Sequence, residues 1–442
     1  MSTKFVRWLY AELPDLVARG VLTGDAAERL RQHYGEVDKD RWRQVGLTFS
    51  AVLGSLLVGL GIIFLVAYNW SDLSRPVRTF LAVGPLIGAQ VLAGWVAWRK
   101  EASVAWREGA ATLLMLALGA SIALVQQTYN APGDVDTLLL VWMLLSLPLV
   151  YLLKVSAPAV LYLVGVILWA ESAELKGAEA AYIGLLGALV IPHFVQALRA
   201  DRYAVRPVLL AWALVVWAAV AFWWVLEGAA RSYVCREELM WMTGYLGLFA
   251  SAYLVGALWL GEASSIWRRP FQLVGAGGVA VISYGLSFRH WIWSGLWKWD
   301  RLFDVEHSAT LYLVGAIGLI AVALTILAVI KHMPGRAIFG VAPLVMALAL
   351  VLANGWDREL APALVFNGYV LVVGVATLVA GVMRRRLALA NAGVLLVALL
   401  IAARFTDSEL GLLVRGIACL VVGAGFLATN LIVYRLRKGA AR

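Results

Sequence analysis

The sequence predicts an all-α, polytopic helical membrane protein: about 14 transmembrane helices with a short cytoplasmic N-terminal helical hairpin. Three observations predict it. Of 442 residues, 62% are apolar and only 14% are charged, against roughly 45–50% and about 25% in a soluble domain. The mean hydropathy of +0.83 leaves too little polar surface to face water, so lipid must cover the chain. The charges that do occur fall between long uncharged stretches rather than within them. A soluble fold is therefore excluded.

Residues 1–45 carry both signs of charge and read as an amphipathic hairpin followed by a basic juxtamembrane segment. Phe5, Leu9, Leu13 and Leu16 recur at helical spacing. Gly20 is the expected C-cap, Asp25 with Glu28 the expected N-cap with its reciprocal carboxylate, and Pro14 is expected either to break the first helix or to open its second half. So short a segment cannot bury a core of its own. Its expected partners are anionic lipid, through Arg7, Arg19, Arg41 and Arg43, or a cytoplasmic protein.

Stretches free of Asp, Glu, Lys and Arg occur at 46–68, 77–98, 109–128, 137–153, 155–170, 180–198, 207–226, 239–260, 270–288, 308–330, 337–354, 360–382, 387–403 and 416–434. Each approaches the ~20 residues that cross a bilayer. Residues 137–153 and 155–170 are short and separated only by Lys154, which allows either a tight hairpin or two re-entrant halves. These stretches define a transmembrane domain over 46–435 and a basic tail over 436–442.

Orientation follows from the basic residues, which concentrate in cytoplasmic loops. With the N-terminus inside, 26 of the 37 Lys and Arg lie on the inner side and 11 on the outer; carboxylates divide 11 to 16 the other way. Both termini are thus expected in the cytoplasm. The charged residues before the first apolar stretch make that stretch its own insertion signal, and a bacterial inner membrane is the expected location. The net charge of +10 is then a topology signal, which removes the nucleic-acid reading of a basic chain.

No catalytic set, metal site or cofactor is expected. Cys235 and Cys419 fall in a loop and in an apolar run, and His33, His193, His290, His307 and His332 lack metal-ligand spacing. No charge stands at mid-span, where proton and ion relays place theirs; Glu108, Glu238 and Arg404 stand at span ends. Gln90, His193, Gln272, Asn354, Asn367, Asn391 and Asn430 are expected to make interhelical hydrogen bonds, His193 at a kink set by Pro192. Glycines such as Gly84 and Gly88, and those of the recurring Leu-Val-Gly tripeptide, are expected to let helices approach closely.

Two outer-side features stand out. Asn69 and Trp70 end the first stretch, Arg75 and Arg78 open the second, and Gln126, Gln127, Tyr129, Asn130, Asp134 and Asp136 follow the third, so together they make a candidate substrate-binding mouth. Trp291, Trp293, Trp297 and Trp299 lie in the longest outer loop, where aromatic rings beside cations suit a lipid headgroup or a glycan.

Gln127-x-Tyr129-Asn130 through Gly133-Asp134, then Leu139, Val141-Trp142, Pro148 and Tyr151-Leu152-Leu153, resemble a bacterial group of predicted membrane proteins, domain-of-unknown-function family 2157. Gly20-Val21-Leu22-Thr23 and Phe64-Leu65-Val66-Ala67-Tyr68-Asn69-Trp70 extend the resemblance, which covers about residues 5–170. It implies an inner-membrane protein with the hairpin in the cytoplasm and implies no catalytic activity. Three functions fit the residues. The leading one is a transporter-like or lipid- and envelope-precursor-handling protein without an intramembrane charge relay. Its alternatives are a polytopic glycosyl- or lipid-transferase using Asp134, Asp136 and His290 on the outer face, and a scaffold or sensor acting through the hairpin.

Overall fold

A computed structural model describes residues 3–34, 72–99, 104–175, 179, 181–202, 204–230, 237–260, 266–289, 293, 308–355, 359–384, 386–407, 420, 423–424 and 427. The chain divides into two compact units, 1–81 and 82–442. Among the described residues every regular element is helical.

The first unit holds α1 (Thr3–Ala18) and α2 (Gly24–Tyr34) and the first turns of α3 (Arg75–Arg99). Gly20 takes φ +71° and ends α1 in a Schellman turn: Val21 N–H donates to Leu16 O at 3.0 Å and Gly20 N–H to Val17 O at 3.1 Å. Two expectations are corrected. Thr23, not Asp25, caps α2, because its hydroxyl accepts the Ala26 N–H at 3.3 Å while Asp25 sits inside the first turn. Pro14 does not break α1, which runs on through it. Leu13 and Ala27 are buried.

In the second unit α3 continues, followed by α4 (Val104–Tyr129), α5 (Val135–Leu152), α6 (Ala157–Ser172), α7 (Ala181–Ala188), α8 (Ile191–Ala200), α9 (Val205–Ala230), α10 (Glu237–Trp259), α11 (Pro270–Leu286), α12 (Ser308–Ile330), α13 (Pro334–Gly340), α14 (Ala342–Gly355), α15 (Leu360–Met383) and α16 (Leu387–Asp407). One apolar core joins α4 to α9, centred on Tyr162, Leu163 and Leu210. Another joins α10, α11, α12, α14 and α15, centred on Leu246, Val279 and Phe366.

Among the described residues, eight helical segments are long and apolar enough to cross a membrane, and a ninth if α13 and α14, bent by 47°, form one span. The expected count of about fourteen is not confirmed. The stretches 155–170, 270–288 and 387–403 fall on shorter apolar helices; at 1.5 Å per residue α6 reaches only about 24 Å against a hydrocarbon core of about 30 Å. The stretch 46–68, and most of 416–434, lie outside the described residues. Residues 137–170 form a hairpin of two separate helices, α5 and α6, turned at Lys154 with φ +51°.

Small residues set the closest helix approaches. Gly275 of α11 lies against the backbone of Phe249 and Tyr253 on α10, and Gly393 of α16 against Gly374 O and the Leu378 backbone on α15. Around Gly88, by contrast, nothing among the described residues stands within 4 Å of where a Cβ would be.

Candidate functional site

The polar chemistry of the second unit converges on the ends of α4, α6, α8 and α9. α6 starts with Pro158 at its second position and makes no side-chain cap of its own, as Ser156 has a helical backbone. Its unpaired N–H groups need an acceptor from elsewhere. Glu108 of α4 supplies it. Its two carboxylate oxygens accept the Ser156 N–H at 2.9 Å each, and Oε2 accepts the Ala157 N–H at 2.8 Å. Oε1 also accepts from Arg206 Nη2 of α9 at 2.9 Å, with side chains 21% and 29% exposed, so the pair is partly shielded from water. An anion at a helix N-terminus also complements the helix dipole. One carboxylate therefore ties together three helices.

Beside this pair the path of α7 into α8 is broken. Leu189 N–H and Val190 N–H turn back to Leu186 O and Gly187 O at 3.2 and 3.1 Å, and Pro192 brings no N–H to the next turn. Two tyrosines of the α5–α6 hairpin support the break from outside. Tyr151 donates to Leu189 O, and Tyr162 donates to Leu186 O at 3.1 Å. Replacing either tyrosine by phenylalanine is expected to cost about 1 kcal/mol, read as an earlier thermal transition in detergent. The double change is expected to be non-additive, because both hydroxyls brace one break.

His193 is the third residue of α8. It is 4% exposed, its ring meets Tyr151 edge to face at 6.1 Å and 78°, and Glu108 and Arg206 lie within electrostatic reach. A two-residue turn at Leu189 and Val190 precedes Pro192, where the kink was expected, while the expected satisfied imidazole is not present: the Val155 backbone lies near, yet neither ring nitrogen completes a hydrogen bond. No group of three or more metal-ligating side chains occurs among the described residues. Of the other span amides, Gln272 donates to Gly256 O at 3.1 Å and Asn367 to Ser287 O at 3.1 Å, forming the interhelical bonds expected of them.

The other face of α8 borders a shallow cleft, partly open to solvent, with about 20 Å³ of room for water-sized molecules. Phe194 and Leu198 of α8 and Phe271 of α11 form its apolar wall, with the two phenyl rings stacked at 6.3 Å. Arg202, Arg268 and Arg269 stand around it.

The described residues of the expected outer mouth fall around the connection between α4 and α5 and at the start of α3. Gln126, Gln127 and Tyr129 end α4, Asn130 and Asp134 lie in its connection to α5, and Asp136 stands in the first turn of α5. Gln126 Nε2 donates to Gly133 O at 2.8 Å and Asn130 takes φ +49°, so this amide closes a turn. Gln127, Tyr129, Asn130 and Asp134 are exposed, and Asp134 holds the N-cap position of α5 without a side-chain cap bond. Arg75 and Arg78 stand at the start of α3 in the first unit, where Arg78 Nε donates to Leu73 O at 2.9 Å. Asn69, Trp70, Trp291, Trp297 and Trp299, with His290 and Cys235, lie outside the described residues. Trp293 is not interfacial. It is fully buried, its indole donates to Leu286 O at 2.8 Å, and its ring stacks on Phe366 at 6.2 Å, because an indole whose N–H is satisfied packs well in a core.

Comparison with protein families gives a match over residues 14–159 to the family described as predicted membrane protein (DUF2157). The match includes Glu108, Tyr151, Ser156 and the α4–α5 turn, and ends before His193 and Arg206. Neither the curated proteins nor the solved structures give a match.

Proposed function

We propose that this membrane protein is transporter-like and handles an amphiphile, either a membrane lipid or a lipid-linked envelope precursor, in a bacterial inner membrane with both termini in the cytoplasm. One observation carries the reading: within the candidate span that α7 and α8 share, a two-residue turn at Leu189 and Val190 separates the two helices, and Tyr151 and Tyr162 of a neighbouring hairpin donate to the carbonyls of Leu189 and Leu186. A bilayer tolerates interrupted backbone only where protein or a cavity surrounds it, and discontinuous helices are where transporters build their sites. The charged groups beside the break, Glu108 and Arg206, neutralise each other at helix ends, which suits movement of a ligand without a proton relay. The exposed α4–α5 turn, with Asp134 and Asp136, and Arg75 with Arg78 remain the proposed outer contacts of that ligand.

The test is transbilayer movement of fluorescently labelled phosphatidylglycerol in vesicles holding the purified full chain, followed by quenching with an impermeant reductant. Faster loss of protected fluorescence than in protein-free vesicles is expected, with Arg75→Gln, Arg78→Gln and Asp134→Asn slowing it while the chain stays folded. Movement no faster than in empty vesicles would overturn the proposal, and unaffected variants would remove the outer contacts.

A further inference from the structure

We infer that His193 is a proton-binding site within the span that α7 and α8 share, and that a proton bound there releases the turn at Leu189 and Val190. The inference adds a regulator to the reading above, and rests on it only for what the released turn lets pass.

A buried imidazole ordinarily hydrogen-bonds through at least one ring nitrogen. His193 is 4% exposed and neither of its nitrogens does so among the described residues. The surrounding groups decide what a proton on it would do. Glu108 of α4 and Arg206 of α9 lie within electrostatic reach. Tyr151 of α5 meets the ring edge to face at 6.1 Å, and Tyr162 of α6 stands beside it in the same hairpin. Lys154, in the α5–α6 turn, and Tyr182 of α7 are exposed, and Arg199 lies in the last turn of α8 itself. On the α11 side, Phe271 stacks on the adjacent Phe194 and follows Arg268 and Arg269.

With a neutral imidazole the charges near His193 balance. Glu108 pairs with Arg206 at 2.9 Å while its oxygens also hold the first N–H groups of α6. A proton on His193 sets a second cation beside that one carboxylate, in a place partly shielded from water, where an unpaired charge is costly. The imidazolium then carries two N–H donors, which Glu108 and the Val155 backbone are placed to accept. Drawing Glu108 to His193 takes it from Arg206 and from the start of α6, the helix that carries Tyr162. Turning the ring parts it from Tyr151, whose hydroxyl holds Leu189 O. One proton thus acts on both tyrosine braces of the turn. The turn itself resists little, because Leu189 N–H and Val190 N–H reach back only three residues and Pro192 has no N–H to add.

Amide hydrogen exchange over residues 186–195 tests the site, read on the full chain in phosphatidylglycerol nanodiscs at about pH 8 and about pH 5.5, on either side of the ordinary imidazole range. After correction for the intrinsic pH dependence of exchange, the segment should exchange about threefold faster or more at the lower pH. His193→Phe and His193→Gln, two neutral replacements that differ in polarity in case one fails to fold, should each lose that response. His332→Asn, an exposed histidine between α12 and α13, should keep it. Tyr151→Phe should exchange fast at both pH values. Equal exchange by the parent at the two pH values, an undiminished response in the His193 variants, or a Tyr151→Phe chain as slow as the parent at about pH 8 would overturn the inference. Exchange is read without any transported ligand. An acid-insensitive turn in a chain that still moves lipid removes the proton site alone, and an acid-sensitive turn in a chain that moves none removes the transport reading alone.

Discussion

Replacing Glu108 by alanine is expected to destabilise the membrane domain by about 3 kcal/mol, the largest single-side-chain effect the polar cluster offers. Three costs combine. The substitution removes the acceptor for the first N–H groups of α6, where Pro158 and the helical backbone of Ser156 leave no substitute. It leaves Arg206, 29% exposed, without its carboxylate. It also cuts the link among α4, α6 and α9. Thermal unfolding in detergent, followed by circular dichroism, reads the effect. Pairing Glu108→Ala with Arg206→Met is expected to restore part of the loss, because much of the cost of breaking a shielded ion pair is the charge left behind. A double variant no more stable than Glu108→Ala alone would assign the whole effect to the helix cap. A single variant within 0.5 kcal/mol of the parent, the range of ordinary surface changes, would remove Glu108 from the fold's supports.

Gly275→Val is expected to cost about 3 kcal/mol or more, at the upper end of overpacking effects. A Cβ on Gly275 would meet backbone atoms of Phe249 and Tyr253, which cannot rotate away, so α11 must move off α10. The gap would open the core around Leu246 and Val279. Gly88→Val is the matched control: the space around Gly88 is open among the described residues, so only a minor effect is expected. The same thermal assay checks both. Similar midpoints for the two variants would show that close approach at Gly275 does not hold the helices together.

These two positions show where the sequence could and could not be read. Gly275 belongs to a Leu-Val-Gly tripeptide that recurs along the chain, and Gly88 to a Gly-x-x-x-Gly pattern, yet among the described residues only the first meets a neighbouring backbone. Spacing identifies a glycine that permits close approach; the partner that uses it comes from another helix. Glu108 read as a charge at a span end, and Arg206 borders the uncharged stretch 207–226. Their pairing across 98 positions had no local signal. Pro192 announced a kink beside His193, but the tyrosines that brace it come from the preceding hairpin. Trp293 stood in a tryptophan-rich loop like its neighbours, and only its contacts with Leu286 and Phe366 move it to the core. Thr23 was overlooked as a cap because Asp25 and Glu28 offered a competing pattern two residues on.

The sequence by itself determined that the protein is helical and lives in a membrane, because a chain 62% apolar and 14% charged must shed its polar backbone into helices and its side chains into lipid. It also placed the helices to within a few residues, since helix ends and charges are local properties of the chain. The tertiary structure decided how long each described helix runs, where helices such as α7–α8 and α13–α14 are broken by turns or bends, and which charges and amides meet. Those outcomes depend on pairings between positions far apart in the chain, and in a molecule whose surface and core are both apolar the hydrophobic pattern carries no signal of which face of a helix turns inward.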